Sequence, residues 1–397
     1  MADELAFVLI NPYTLAKSRT GGVISRLLSR GDNDLLAARM FAPSEGLVRE
    51  YCDTMGADEK SSHPEINRLI KQYVMENYAP DKKTGEKRRV LFLLFRGDNA
   101  IEKLRNTIVG HITKGTVAGE TIRDTYGDYI LDGAGHVKYF EPAVLIIPDK
   151  SQAQRALSVW AKYSDKDGGI LKDVVRYPTS AKPETTLVLI KPDNFKGPSS
   201  RAGQIVELFS RAGLYIIATR VIRMSVDQAD EFYAPVRKIF EERLKPQISK
   251  RIRAKIETEF EFPLPPGVED ALCDKLNCLN AQHEFNKIIA FMTGLDPDDV
   301  RTPEARKRPG LEKCLAIVYQ GLDAVAKIRS ILGATDPSKA APATVRKEFG
   351  RDIMVNTAHA SDSEESAQRE RRIVQIECND VRAAVEQFYG KKVTTLS

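Results

Sequence analysis

The residues best suited to chemistry lie between Asn356 and Glu370, where one histidine, His359, precedes a cluster of hydroxyl and acidic residues. Ser363 has the type and position of a helix N-cap, and acids fill the turn that follows it. A histidine just outside a helix N-terminus lies where anions collect, because free backbone N–H groups and the helix dipole point there. The segment therefore predicts contact between His359 and phosphate. A surface histidine on an acidic loop is the alternative.

Length and charge narrow the class of protein that could carry such a site. A chain of 397 residues predicts two or more domains. The net charge of +5 is too small to indicate nucleic-acid binding, although it mildly suits anionic ligands. Five scattered cysteines do not form a disulfide framework pattern, which favours a reducing compartment. We see no signal-peptide pattern and no apolar run of membrane length, so we expect a cytoplasmic protein without membrane contact.

The elements that must position His359 occur twice along the chain. Leu5–Ile10 and Thr186–Ile190 are apolar runs typical of buried strands, and they are stopped by Asn11-Pro12 and Lys191-Pro192. Each run is followed by a polar loop with glycine, a helical pattern and a second strand. The two halves are thus a tandem duplication.

The later parts of the two copies also match. Val90–Phe95 and Leu315–Tyr319 are predicted strands, and the helix after each carries an arginine at the same place, Arg105 and Arg329. Further along, Arg123 in the first copy matches Arg346 in the second. The order strand, helix, strand, helices, strand, helix, strand predicts an α+β fold. We therefore expect two tandem ferredoxin-like (βαββαβ) domains, each an antiparallel sheet covered by helices.

The domain boundaries follow from composition. We place the first domain at 1–162, a linker at 163–184, the second domain at 185–377 and a tail at 378–397. The second domain carries insertions at about 234–282 and 295–312.

The second copy resembles the nucleoside diphosphate kinase family. The resemblance rests on Ile190-Lys191-Pro192-Asp193, on the loop from Leu332 to Arg346, and on Asn356 through Ser363. These motifs occur in the family's order and cover most of 185–377 apart from the insertions.

The resemblance implies transfer of the γ-phosphate of ATP to a nucleoside diphosphate through a phosphohistidine. A neutral imidazole is a competent nucleophile near pH 7, and covalent catalysis divides the transfer into two in-line steps. The family implies Mg²⁺ held mainly by the nucleotide phosphates. It also implies assembly from a common dimer, so we expect a homo-oligomer in which the two domains form an internal pseudo-dimer.

Family roles carry over to individual residues. His359 would be the nucleophile, Glu370 would orient its ring, and Ser361 would lie beside it. The other assignments are Tyr233 near the transferring group, Lys191, Arg329, Thr335 and Arg346 at the phosphates, and Asn356 with Lys191 at the sugar.

The sequence departs from the family pattern at three places. The aromatic ring that stacks on the base is expected at Glu284, and Phe285 is one residue away, so Phe285 is the candidate. Met354-Val355 replaces the usual Gly-Arg before Asn356, and Ala360 replaces the usual glycine after His359. These changes remove no charged catalytic group.

The first copy has lost more of the motif. Asn11 replaces the lysine and Tyr13 the aspartate, while His136, four residues after Asp132, keeps a histidine near the expected place. We expect a degenerate domain that binds an anion at most. The favoured alternative is that His136 is an ordinary loop histidine.

Two other functions compete with the kinase hypothesis. A non-catalytic nucleotide-binding scaffold is consistent with the insertions and the degraded first copy. Nucleic-acid binding through the basic segment 236–256, with Lys250, Arg251 and Arg253, is weaker. The spacing of Cys273, Cys278 and His283 does not fit zinc, and no Walker loop occurs.

Overall fold

The computed structural model describes residues 3–55, 64–112, 119–146 and 150–394. The chain forms two compact units, one made of Met1–Val221 with Leu315–Ser397 and the other of Ile222–Cys314. Among the described residues, no helix is both long and apolar enough to span a bilayer.

The first copy lies wholly within the larger unit. Its elements are β1 (Asp3–Ile10), α1 (Pro12–Ala16), α2 (Thr20–Ser29), β2 (Asp34–Phe41), α3 (Glu45–Thr54), α4 (Pro64–Asn77), β3 (Val90–Asp98), α5 (Ala100–Glu102), a π-helical segment (Lys103–Val109), α6 (Ile122–Tyr126), β4 (Asp128–Leu131), β5 (Val137–Glu141), β6 (Val144–Ile146) and α7 (Lys150–Tyr163).

The second copy follows a similar order, with longer helices in its middle and, among the described residues, no hairpin between α13 and β10. Its elements are β7 (Glu184–Ile190), a 3₁₀ turn (Pro192–Asn194), α8 (Arg201–Ser210), β8 (Tyr215–Ile222), α9 (Val226–Phe260), α10 (Val268–Thr293), α11 (Pro303–Arg306), β9 (Cys314–Gly321), α12 (Ala324–Leu332), α13 (Val345–Phe349), β10 (Ala358–Ala360), α14 (Glu364–Ile373) and α15 (Asp380–Tyr389).

Each copy contains a four-stranded sheet of the same topology. The strand orders are β2-β3-β1-β6 and β10-β7-β9-β8, so the first and third strands of each copy are central. The paired strands run antiparallel, with Leu9 opposite Leu145 in the first copy and His359 opposite Leu189 in the second. The predicted ferredoxin-like α+β fold is confirmed.

Apolar strands bury both faces of each sheet. All residues of β1 after Asp3 are buried, and an aromatic cluster fills the first copy around Trp160. Phe7, Phe41 and Phe92 have ring centroids 6.4, 4.9 and 5.5 Å from that of Trp160. Such packing explains why β1 and β3 read as continuous apolar runs in the sequence.

Two glycines let helices α2 and α8 of the two copies meet backbone to backbone. A Cβ on Gly21 would lie 2.6 Å from the carbonyl oxygen of Gly203, and a Cβ on Gly203 would lie 2.5 Å from that of Gly21. The next contacts are also reciprocal, from Gly21 to Glu207 and from Gly203 to Ser25. The two copies therefore meet with an approximate two-fold relation at this crossing.

The C-terminal helix α15 joins the second copy to the first. Asn379 Nδ2 donates to Ser164 Oγ at 2.6 Å, and Arg382 pairs with Asp165. The buried Arg39 of β2 donates through Nη1 to the carbonyl oxygen of Cys378 at 2.8 Å. Residues 378–394 are therefore part of the packed structure of the larger unit.

The smaller unit consists mainly of the antiparallel hairpin of α9 and α10. Ser225 caps α9 in a reciprocal capping box with Gln228. Arg253 Nη2 is 2.7 Å from Glu269 Oε2, and Lys245 pairs with Asp274, so these basic residues of α9 face acids of α10. Helix α9 ends at Phe260, and the chain turns through a segment with three prolines into α10, which begins at Val268.

Gly203→Ala should lower the free energy of unfolding, because a methyl group cannot fit against the backbone of α2. We expect a loss of about 1–3 kcal/mol, the usual cost of overpacking, which exceeds the gain in helix propensity. Gly197→Ala is the matched control, since its Cβ would meet nothing within 4 Å. Equal urea midpoints for the two variants would contradict the close helix contact.

Candidate active site

His359 lies in the short edge strand β10, which is attached to β7 by main-chain bonds. Lys191 N–H donates to the carbonyl oxygen of Thr357 at 2.8 Å, just where β7 ends. Asn194 Nδ2 donates to the same oxygen at 2.9 Å. Thr357 has φ of +73°, a costly conformation for a β-branched residue that these bonds hold in place. Hydrogen bonds from Lys191 and Asn194 to Thr357 thus hold the strand that carries His359 in place.

The His359 ring is oriented by a buried carboxylate from α14. His359 Nε2 is 2.9 Å from Glu370 Oε2, and Glu370 is 3% exposed. Ser361 Oγ donates to the same oxygen at 2.7 Å and is fully buried. A carboxylate acceptor places the ring proton on Nε2, which leaves the lone pair on Nδ1. The structure therefore brings together His359, Ser361 and Glu370 as the sequence predicted.

Lys191 and Asn356 form a second pair beside β10. Lys191 Nζ donates to Asn356 Oδ1 at 2.7 Å, and both residues are buried. Asn356 Nδ2 in turn donates to the carbonyl oxygens of Ile353 and Thr335, at 2.8 and 3.1 Å. Asn356 therefore holds the lysine ammonium in position and also ties it to the loop of Thr335.

Arg346 connects that loop to β10. Its Nη1 donates to the carbonyl oxygen of Gly333 at 3.1 Å, and its Nη2 donates to that of Ala358 at 3.2 Å. Thr335 Oγ1 is 3.5 Å from Nη1, and Thr335 is exposed. Arg346 thus touches the residue directly before His359, which brings a cation to strand β10.

An ionised carboxyl adds a negative charge to this cationic region. A hydrogen bond from Ser366 lowers the pKa of Asp362, and the charge of Arg329 lowers it further. Arg329 itself lies exposed in the last turn of α12. Asp362 is therefore an anion at neutral pH within electrostatic reach of Arg329.

Comparison with known proteins shows the family to which this chain belongs. The model of the nucleoside diphosphate kinase family matches residues 184–252 and 310–377, both in the second copy. The nucleoside diphosphate kinase of Campylobacter hominis is 30% identical over 187 residues, which is 47% of this chain and 91% of that relative. The chain belongs to the nucleoside diphosphate kinase family.

Further nucleoside diphosphate kinases are similar to this chain. That of Halorhodospira halophila is 29% identical over 187 residues, 47% of this chain and 89% of the relative. The crystal structure of the Aquifex aeolicus nucleoside diphosphate kinase is 25% identical with a TM-score of 0.30, covering 49% of this chain and 95% of that one.

The first copy retains the main-chain framework of the nucleoside diphosphate kinase site. Asn11 N–H donates to Ala143 O at 3.2 Å, as Lys191 does to Thr357. Arg123 donates to Gly110 O at 2.7 Å and to Val144 O at 3.2 Å, matching Arg346. Burial, with a smaller effect from the charge of Arg105, lowers the pKa of Arg123 to about 10. The duplication therefore extends to individual hydrogen bonds.

The histidine of the first copy, His136, is an ordinary loop histidine, as the favoured interpretation expected. Counting from Asn11 and Lys191, the partner of Leu9 on β6 corresponds to His359, and this partner is Leu145. His136 instead lies in the turn between β4 and β5, where its side chain is 81% exposed. The hairpin of β4 and β5 has no counterpart in the second copy, so motif matching assigned its histidine to the wrong place.

A closed network replaces the lysine pair in the first copy. Asn11 Nδ2 donates to Glu141 Oε1 at 3.1 Å, and Tyr78 donates to Asn11 Oδ1 at 2.6 Å. Tyr73 donates to Glu141 Oε2 at 2.6 Å, and burial raises the pKa of Glu141. A carboxyl group and two phenols thus lie near the position that a buried cation holds in the second copy.

Two predicted residues belong to the smaller unit. Tyr233 is 6% exposed, and its hydroxyl is 3.4 Å from Met292 Sδ. Phe285 is fully buried, with the Arg237 guanidinium 4.3 Å from its ring centroid. Phe285 in this structure packs against Arg237, so a base could stack on that face only after Arg237 moves. The role of Tyr233 stays a prediction.

Sequence reasoning missed the supports around the site. Asn194 braces β10, and Thr14 Oγ1 does the same in the first copy by donating to Ala143 O at 2.8 Å. The positive φ of Thr357 was also missed, because no glycine or asparagine marks it. A comparison of Thr14 with Asn194 in the aligned copies would have shown a polar side chain kept at that place.

Asp193→Asn should stabilise the fold at pH 8 more than near pH 4. Burial raises the pKa of Asp193, neither carboxylate oxygen accepts a hydrogen bond from a described residue, and Arg201 Nη2 is 3.6 Å away. An acid with a raised pKa in the folded state loses stability as pH rises above the ordinary carboxyl range, so its neutral replacement gains there.

The control for this prediction is Asp336→Asn, whose effect should have the opposite pH trend. A hydrogen bond from Ser338 lowers the pKa of Asp336. Its loss should therefore destabilise at neutral pH and matter less as pH falls below the ordinary carboxyl range. Urea unfolding at several pH values measures both, and parallel curves would contradict the assignment.

Proposed function

We propose that this chain is a nucleoside diphosphate kinase that transfers the γ-phosphate of ATP to a nucleoside diphosphate through a phosphohistidine at His359. The observation that carries the proposal is the bond from His359 Nε2 to the buried Glu370 carboxylate. It supports a ring proton on Nε2, which leaves the Nδ1 lone pair as the nucleophile. Membership of the family and the nucleoside diphosphate kinases among its relatives support the same reaction.

The first half-reaction forms the N–P bond. The Nδ1 lone pair attacks the γ-phosphorus, the bond from phosphorus to the bridging oxygen breaks, and ADP leaves. The ring becomes positively charged as the bond forms, while its Nε2 proton stays shared with Glu370. The carboxylate therefore stabilises the charge that develops, and charge-assisted hydrogen bonds of this kind are the strong ones. The second half-reaction reverses these steps with another diphosphate.

The cations near β10 suit the phosphates. Arg346 and Arg329 would bind phosphate oxygens with Thr335, and Lys191 with Asn356 would bind the sugar. The donors found around His359 are cations and hydroxyls, which fit phosphate oxygens. Mg²⁺ would be held mainly by the nucleotide phosphates and would neutralise part of their charge. Tyr233 would lie near the transferring group.

The first copy would serve as a partner subunit within one polypeptide. The reciprocal contact of Gly21 with Gly203 supports an internal pseudo-dimer, and further copies would complete a homo-oligomer. Leu145 at the place of the nucleophile supports a degenerate first domain that makes no phosphohistidine there. A cytoplasmic location stays a prediction.

His359→Ala should abolish transfer from ATP to GDP and the acid-labile, alkali-stable phosphate label on the protein. The label is lost because the only nitrogen proposed to form the N–P bond is removed. His136→Ala is the matched control and should keep both signals, since its side chain is exposed in the β4–β5 turn. Nucleotide binding by a wild-type protein that never labels would instead indicate a scaffold.

Glu370→Gln should reduce kcat more than Ser361→Ala does. Glu370→Gln replaces the carboxylate that bonds the ring by a neutral amide, and a charge-assisted hydrogen bond contributes about 1.5–3 kcal/mol, so we expect a roughly ten- to hundredfold loss. Ser361→Ala leaves the bond between His359 and Glu370 in place and removes only a second donor to that carboxylate, so we expect a severalfold loss. Burst-phase labelling separates formation of the N–P bond from product release. A larger loss of kcat in Ser361→Ala than in Glu370→Gln would show that Glu370 is not the main residue that orients the His359 ring.

A further inference from the structure

A cavity of about 200 Å³ lies where the first copy meets the second, within the larger unit and away from His359. From the first copy it is lined by residues before and in α2 and by Arg89, and from the second by the end of α8, β8 and β9. The polar side chains among its lining residues are Ser18, Thr20, Arg89, Ser210, Tyr215 and Tyr319. Arg89 is its only charged lining residue.

Arg89 has no carboxylate partner among the described residues. One of its N–H groups, at Nη1, donates to the carbonyl oxygen of Ile216 at 2.9 Å, and its guanidinium is 5.0 Å from the centroid of Tyr215. Burial lowers the pKa of Arg89, which reflects the cost of holding this charge away from water. Charged side chains in such places are usually paired, so Arg89 lacks a counter-ion.

Tyr319 adds a buried donor without an acceptor. Its side chain is 2% exposed and packs on Phe209, with 6.0 Å between ring centroids. The hydroxyl has no hydrogen-bond partner in the described part of the chain. Burial raises the pKa of Tyr319, so the hydroxyl keeps its proton. Buried phenols normally find a partner, and this one lines the same cavity as Arg89.

The first turn of α2 also borders the cavity. Thr20 and Gly21 line it, and the ten-residue helix starts at Thr20. Amides of a first turn have no acceptor within their own helix, and the helix dipole makes this end positive. Glu207 accepts from the Gly22 amide at 3.1 Å, but Glu207 is not a lining residue.

The approximate two-fold relation of the copies is broken at this cavity. On the opposite side of the α2–α8 crossing, the Ser199 amide donates to the carbonyl oxygen of Leu28 at 3.1 Å and closes the contact. The residue that corresponds to Ser199, counted from Gly21 and Gly203, is Lys17. Its amide bonds to Tyr13 O within the first copy at 2.9 Å. The matching contact to the end of α8 is therefore absent, and the space stays open.

We propose that this cavity binds a small oxyanion between the two copies, of the size of inorganic phosphate or a short carboxylate. Arg89 supplies the counter-charge, Tyr319 donates a hydrogen bond, and the first turn of α2 adds a favourable dipole. Apolar lining from Leu15, Val206 and Leu214 limits the ligand to this size. The bound anion contacts both copies and so stabilises their association.

Titration of thermal unfolding with inorganic phosphate, and separately with acetate, tests the site. Sodium chloride at matched ionic strength corrects for screening. Phosphate that binds at other sites contributes equally in each variant, so differences between variants report this cavity. Arg89→Met should raise the Kd for the bound anion about ten- to hundredfold, the effect of losing a charged hydrogen-bonding group. Arg88→Met, which loses only a pair with Asp81, is the matched control.

Tyr319→Phe keeps the packing and provides a second measurement. It should raise Tm without anion, because an unsatisfied buried hydroxyl is removed, and it should also weaken anion binding severalfold. A response to acetate alone assigns the ligand as a carboxylate, and a response to phosphate assigns it as a phosphate. The proposal is overturned if neither anion distinguishes Arg89→Met from Arg88→Met. It is also overturned if Tyr319→Phe binds both anions like the wild type.

Discussion

The hydrogen bond between the Glu370 carboxylate and the His359 ring is the contact on which the proposed chemistry depends. It requires an edge strand, a short turn and a helix in immediate succession, so that residues eleven positions apart meet at 2.9 Å. Burial of Glu370 strengthens this contact because little water competes for the carboxylate. Ser361 shares the same oxygen, so the acceptor is held from both sides. The ring is thereby oriented before any substrate arrives.

The two copies share main-chain hydrogen bonds although the side chains around these bonds differ. In each copy, the amide of Asn11 or Lys191 donates to a carbonyl oxygen next to the last strand of the sheet. In the same way, Arg123 and Arg346 donate from their guanidinium groups to corresponding carbonyl oxygens. These bonds hold the last strand of each sheet and so serve stability. The side chains differ, because Asn11 stands where Lys191 does. In the first copy, the Glu141 carboxyl group accepts hydrogen bonds from Asn11 and Tyr73 within the protein. The main-chain hydrogen bonds therefore do not depend on which of these side chains are present.

Association of the copies rests on the absence of side chains at one point. Gly21 and Gly203 allow α2 and α8 to touch through their backbones, where any Cβ would clash. The C-terminal helix adds polar contacts through Asn379 and Arg382 to the first copy. The contact between the two copies thus has two sides that differ, with one side closed and the other left as a cavity.

The sequence alone determined the fold class, the duplication and the group His359, Ser361 and Glu370. Strand patterns and the order of motifs are local properties of the sequence. The N-cap of α14 at Ser363 could be predicted because it too depends on neighbouring residues. Only the tertiary structure decided that Leu145, and not His136, occupies the position of the first copy that corresponds to His359. The register of the sheet decides which residues lie opposite each other. The extra hairpin of the first copy places His136 outside the sheet, and no sequence motif reveals this. The packing of Phe285 against Arg237 likewise depends on contacts between distant helices, which spacing along the chain does not encode.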